Sequence, residues 1–268
     1  MPPFWFTVII FLFLIVVFLA WRLVKSRTWK QIQLRRAAKL ATRGRTDEML
    51  KYLENNMDRR NVSDPVTNAL VYYRIKSGDF DGAEAVIQEA IDRGDHSGMA
   101  LAQLGYVAGG RKDFQRAEEY YRQALALDPS LKPTMNMNLA GMLIQQGTRL
   151  EEAEELLKEA LELREGSARS GIHTNLAMLY LKMKKPVEAR VQAMTAFELI
   201  PSGNAILAGS RANALALASR ACAMQGEKEE ARKLAVKAMK LIEGIPGGEQ
   251  LTKELKHLAG GAAADSRS

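Results

Sequence analysis

Two hydrophobic patterns divide this chain of 268 residues. The first is an apolar run that opens at Phe4 and closes at Val24, with Arg22 as its only charge. The second follows it and is periodic. Small and large apolar residues recur four and seven positions apart, with polar residues between them. Such spacings place side chains on one face of a helix. The first pattern predicts a helix that is apolar all round, and the second a series of helices that each bury one face.

The 21 residues of 4–24 would span roughly 30 Å as a helix, the thickness of a bilayer core. Trp5 and Trp21 stand near its two ends, where indole rings favour the membrane boundary. A cleaved signal peptide needs basic residues before the run and small residues before the cut. Here no Lys or Arg precedes it, and Phe18-Leu19-Ala20 is a poor cleavage site. The run therefore predicts an uncleaved single-pass transmembrane helix, with residues 1–3 as a short non-cytoplasmic tail. Basic residues that follow it, among them Arg22, Lys25, Arg27, Lys30, Arg35 and Arg36, place the rest of the chain on the cytoplasmic side. The same residues suit contact with anionic headgroups.

The periodic part repeats. Alanines seven apart occur as Ala83/Ala90, Ala117/Ala124, Ala153/Ala160, Ala189/Ala196 and Ala231/Ala238. Their first members lie 34, 36, 36 and 42 residues apart. Twelve residues before each stands Val71, Gly105, Gly141, Ala177 or Ser219, and four after it Ile87, Tyr121, Leu157, Ala193 or Ala235. A fixed period of this size marks a solenoid of stacked units. Each unit reads as two antiparallel helices, with small residues where they approach. Gly78, Gly147 and Gly226 fall at the expected turns, and Pro129 and Pro201 after second helices.

These residues resemble the tetratricopeptide repeat family, in its membrane-anchored bacterial type. The fullest match is Leu104-Gly105, Ala117, Tyr121, Ala124 and Pro129. The resemblance implies an all-α solenoid of helix-turn-helix repeats with an N-terminal transmembrane helix. It divides the chain into a basic stem and degenerate first unit (25–63) and repeats at 64–97, 98–131, 134–167, 170–203 and 212–245. A capping helix at 249–258 and a disordered tail at 259–268 complete it. Residues 203–210 are longer than an ordinary inter-repeat turn, as either a loop or an extended helix start.

The net charge of +7 suggests nucleic acid until it is located. Nine Lys/Arg and no acid lie between Arg22 and Arg45. Without those nine, 29 basic residues face 31 acidic ones. The repeat body is near neutral, so no nucleic-acid partner is expected. One cysteine, Cys222, excludes an intrachain disulfide and argues against a cysteine-built metal site. His96, His173 and His257 are scattered over different units and read as surface or packing residues. Neither a cofactor, a metal nor a catalytic group is expected, and no enzyme activity.

By the resemblance, first helices line a concave face. Its candidate partner-binding residues are Asn68, Tyr72, Lys76, Gln103, Tyr106, Asn138, Met142, Gln145, Thr174, Met178, Lys182 and Arg220. Amides can bond a peptide backbone, while Tyr and Met give adaptable apolar contact. Some chaperone-binding relatives clamp a terminal carboxylate with Lys and Asn at set positions. This chain shows Asn68/Tyr72, Ala102/Tyr106, Asn138/Met142 and Thr174/Met178 there, which disfavours that use. The expectation is a membrane-tethered scaffold that holds a protein, as peptide or helix, at the cytoplasmic face of a bacterial inner membrane. Envelope, secretion or pilus assembly is the setting that family analogy implies. The alternatives are a periplasmic-side assembly factor and an organelle import receptor.

Overall fold

A computed structural model describes the backbone of residues 4–203, 205–243 and 249–264 and the side chains of 13, 15–18, 28–203, 207–243 and 249–260. Its elements are helical, with no strand among the described residues. Helix α1 (Phe4–Ala41) leads into α2 (Thr46–Glu54). Five antiparallel pairs follow: α3 (Pro65–Lys76) with α4 (Phe80–Asp92), and α5 (Gly98–Gly110) with α6 (Phe114–Leu127). Then come α7 (Lys132–Gln146) with α8 (Leu150–Glu162), α9 (Ser170–Lys182) with α10 (Pro186–Leu199), and α11 (Ala205–Met224) with α12 (Lys228–Ile242). Helix α13 (Glu249–Ala264) packs on α11 and α12.

The alanine pattern is the seam of each pair. Ala83, Ala90, Ala117, Ala124, Ala153, Ala160, Ala189, Ala196 and Ala238 are fully buried, and Ala231 nearly so. Ile87, Tyr121, Leu157, Ala193 and Ala235, four residues on, are buried beside them. First helices also touch their successors, α3 to α5, α5 to α7, α7 to α9 and α9 to α11, and so form one continuous inner wall.

Helix starts follow ordinary capping chemistry. Asp64 accepts from the backbone N–H groups of Val66 and Thr67, Asp79 from Gly82, Ser97 from Ala100 and Asp113 from Arg116. Each such cap contributes about 1 kcal/mol. The turns within pairs each use a left-handed residue, and the one between α7 and α8 uses two, Gly147 and Arg149. Gly78 (φ 81°) and Gly226 (φ 79°) supply it without strain, whereas Lys112 (φ 65°) and Lys184 (φ 57°) hold it as lysines.

Helix α1 joins the array directly. Gln33 and Ala37 are buried against the first units, and Met49 and Leu53 of α2 fill the space below. Lys30 pairs with Asp64, whose side chain is almost wholly enclosed while it caps α3. Arg36 lies 5.1 Å above the Tyr52 ring. Arg74 bridges Glu54 of α2 and Asp79 at the head of α4.

Among the described residues, no helix is long and apolar enough to cross a membrane. Most of the side chains of the expected membrane run, together with Arg22, Lys25 and Arg27 of the stem, lie outside the described residues. At the other end, residues 205–210 form the first turns of an extended α11. Helix α13 runs past residue 258 to Ala264, through a stretch expected to be disordered. Alanines at 259 and 262–264 are the best helix formers and carry it on.

Candidate functional site: the inner groove

The inner wall encloses a groove of about 900 Å³. It runs from Tyr72 and Lys76 on α3, past Tyr106 on α5 and Asn138 and Met142 on α7, to Thr174 on α9 and Asn213 on α11. Successive first helices stack with their exposed faces on one side, which is why residues from units far apart in sequence share it.

Seven of the expected partner-binding residues meet here: Tyr72, Lys76, Tyr106, Asn138, Met142, Gln145 and Thr174. The other five do not line this groove. Gln103 is buried, and its amide donates to the Val62 carbonyl at 3.3 Å, linking α5 to the loop before α3. Arg220 pairs with Glu254 and ties α11 to the capping helix. Asn68, Met178 and Lys182 are exposed outside the lining set. Sequence reasoning passed over Phe80, Met137, Asn175 and Asn213. Met137 and Asn175 are immediate neighbours of the expected Asn138 and Thr174, so a groove position one residue wider would have found them.

Three tyrosines give the near end its character. Tyr72 and Tyr106 are partly exposed, and Tyr121 is buried behind them. Burial raises the Tyr72 hydroxyl above its ordinary pKa. Burial also raises Tyr106, with Lys76 opposing and Tyr72 adding to the rise. Tyr121 is pushed up furthest, by burial and then by Tyr106, against the opposing side chain of Asn138. All three stay neutral at physiological pH. Lys76 lies 5.9 Å from the Tyr72 ring centre, a cation–π distance. It carries the single charge among the lining residues, and no carboxylate lines the groove.

The floor carries helical glycines. A methyl added at Gly109 would meet Met142 Sδ at 3.4 Å, and one at Gly141 only Asn175 Nδ2 at 3.8 Å. At Gly209 it would meet nothing. Packing therefore does not require glycine at these sites. Each costs about 1 kcal/mol of helix stability relative to alanine, and each leaves backbone open to whatever enters. Gly105 differs, because there the added methyl would strike the Tyr121 ring.

No His, Cys, Asp or Glu is among the residues that line the groove. Among the described residues, no cluster of His, Cys, Asp or Glu suits a metal ion. His173 Nδ1 meets the Gln192 side chain at 2.6 Å. Cys222 is buried within α11, and burial raises its thiol pKa.

A family profile described as tetratricopeptide repeat matches residues 68–132 and 102–170. The chain carries tetratricopeptide repeats. The matched repeats extend from α3 into α9 and hold most of the groove. Among known proteins, the chain is similar to the type IV pilus assembly protein PilF of Pseudomonas aeruginosa, with 33% identity over 116 residues. That match covers 43% of this chain and 45% of PilF, so the chain spans less than half of that relative. Among solved structures, the APC/C hetero-tetramer Cut9–Hcn1 aligns with a TM-score of 0.68 at 14% identity, over 88% of this chain and 43% of that one. PilW, a widely conserved type IV pilus biogenesis factor, aligns at 0.55 and 15%, over 79% and 92%. At these identities the structures show a shared repeat fold.

Proposed function

We propose that this protein is a membrane-tethered repeat scaffold that holds one protein partner, as a peptide or a helix, in its inner groove. The observation that carries the reading is the groove itself. It is large, formed by repeats, lined by tyrosine, methionine and amide groups, and floored in part by glycines, at 109, 141 and 209, that packing does not demand. Apolar bodies with polar tips, around backbone that a ligand can approach, suit another polypeptide. The apolar run at 4–24 and the basic stem support a tether at the cytoplasmic face of a membrane, with the repeats in the cytoplasm. A tether raises local concentration, so modest groove affinity suffices. The similarity to PilF supports a role in envelope or pilus assembly in a bacterial inner membrane. A groove with one lysine and no carboxylate offers nothing to a cationic presequence, which weighs against an import receptor.

The test places a photocrosslinking residue at Tyr106 or Asn138, and as a control at Arg122 on the outer side of α6, in the full chain in intact membranes. A groove ligand gives the same adduct from both inner positions and none from Arg122, and Tyr72→Ala with Lys76→Glu removes it. An adduct from Arg122 alone, or one unchanged by the double substitution, sinks the groove. A C-terminal reporter active only outside the cytoplasm would reverse the topology and favour the periplasmic-side reading.

A further inference from the structure

The outer face of α12 differs from its counterparts. Counted from the first anchor alanine of each unit, α8 carries Glu154, Glu155, Glu159 and Glu162 where α12 carries Arg232, Lys233, Lys237 and Lys240. The fold accepts either sign at these positions, so packing does not dictate the cations. They run at helical spacing along one side, over roughly 12 Å, with the partly exposed Val236 among them. The opposite side, with Ala231, Leu234, Ala235, Ala238 and Ile242, is buried in the array.

Most arginines of the body sit beside carboxylates, as Arg59 does with Glu89 and Arg111 with Asp81 and Glu84. Arg232, Lys233 and Lys240 form no ion pair among the described residues, and Lys237 lies 4.8 Å from the Phe197 ring centre. The stripe sets four cations against the one carboxylate that shares its surface, Glu229 in the first turn. The hollow along it is small, about 310 Å³, and is walled by these long side chains and Glu229, with Lys237 resting over the Phe197 ring. What the stripe matches is a layer of mobile anions.

We propose that the α12 stripe is a second membrane contact that lies against anionic phospholipid headgroups and draws the far end of the array to the surface. The inference rests on the tethered reading, which puts the chain where such headgroups are concentrated. The body between the two basic regions is acidic: residues 46–204 hold 24 Asp/Glu against 19 Lys/Arg. An anionic surface attracts both ends and repels the middle. Each cation near such a surface strengthens association about fivefold, and salt weakens the effect.

The experiment reconstitutes the full chain in vesicles of phosphatidylcholine alone or of phosphatidylcholine with phosphatidylglycerol. Amine-reactive labelling at Lys233 and Lys240 is followed by mass spectrometry, with exposed Lys182 on α9 as the internal reference. Labelling at both stripe lysines should slow severalfold in the anionic vesicles only, and recover with added salt or with Arg232→Glu. Equal rates in both compositions overturn the proposal. Slowing in both that grows with protein density also overturns it and assigns the stripe to contact between copies. Slowing relieved by extracting soluble proteins from native membranes, and absent from anionic vesicles, overturns it in favour of an acidic protein. Flotation separates the two readings. A chain that floats with neutral vesicles at high salt but shows no slowing keeps its tether and loses the stripe. One that floats only with anionic vesicles and shows slowing keeps the stripe and loses the tether.

Discussion

Gly105 of α5 lies flat against the ring of Tyr121 in α6. A methyl on the glycine would stand 2.5 Å from Tyr121 Cε1 and 3.2 Å from the Ala117 carbonyl oxygen. Tyr121 is enclosed on every side and cannot turn away. Gly105→Ala should therefore destabilise the protein by about 1–3 kcal/mol, the usual cost of overpacking a core. Gly141→Ala should do the reverse, because its methyl meets only Asn175 Nδ2 at 3.8 Å. It should add about 0.5–1 kcal/mol from helix propensity and weaken capture of the groove ligand. Urea unfolding of both variants, with crosslinking yield for the second, checks the pair. A stabilised Gly105→Ala would remove the close-approach account.

This contrast shows how far the sequence could be read. The alanine seam was legible because burial repeats with the unit and each position sees the same neighbours. Gly105 and Gly141 hold the same place in the repeat, yet one faces a tyrosine ring and the other open groove. The difference lies within the unit: four residues after the anchor alanine stands Tyr121 in one and Leu157 in the other, and only the tyrosine ring comes within reach of the methyl. Gln103 misled for another reason, since its bond to Val62 reaches back 41 residues to a loop.

Asp64 holds two structures together, as cap of α3 and partner of Lys30. Asp64→Ala should cost about 1–2 kcal/mol, mostly the lost cap, because Lys30 is partly in solvent and its share is small. Lys30→Ala should cost less than about 1 kcal/mol. Hydrogen exchange should rise first at the start of α3 in the aspartate variant. If it stays unchanged there, the cap does not hold that end.

Lys184 sits at φ 57°, where a side chain crowds the backbone. Gly226 fills the equivalent place one repeat later without strain. Lys184→Gly should raise stability by about 0.5–1 kcal/mol, the relieved strain less the added freedom of the unfolded chain. A thermal melt of the variant decides it, and an unchanged or lower Tm would show that the turn is not strained.

Asp95 gives the fold an acid sensitivity. Burial alone would raise its pKa, but hydrogen bonds from Ser97 and from the Val62 amide outweigh it and hold the carboxyl below its ordinary value. A lowered folded-state pKa contributes stability above the unfolded value, and that stability is lost as pH falls through the folded one. Asp95→Asn should be less stable by about 1 kcal/mol at neutral pH. The gap to the native protein should close below about pH 4. Urea midpoints measured across pH test this, and a gap independent of pH would argue against it.

Cys222 reports on the last repeat. It is fully enclosed, and burial keeps its thiol protonated. Alkylation at neutral pH should be slow in the folded chain and should accelerate with the unfolding of α11 and α12, before global loss of helix if the end frays. Rapid labelling under native conditions would contradict the packing of this repeat.

Helix α1 runs without a break from Phe4 to Ala41, about 57 Å at helical rise. Its last turns are wedged among α2 and α3. There is no swivel between the two ends of this rod. Any lean or rotation imposed on its first half is passed to the repeats as to the head of a rudder, so the direction in which the groove opens is steered from the N-terminus.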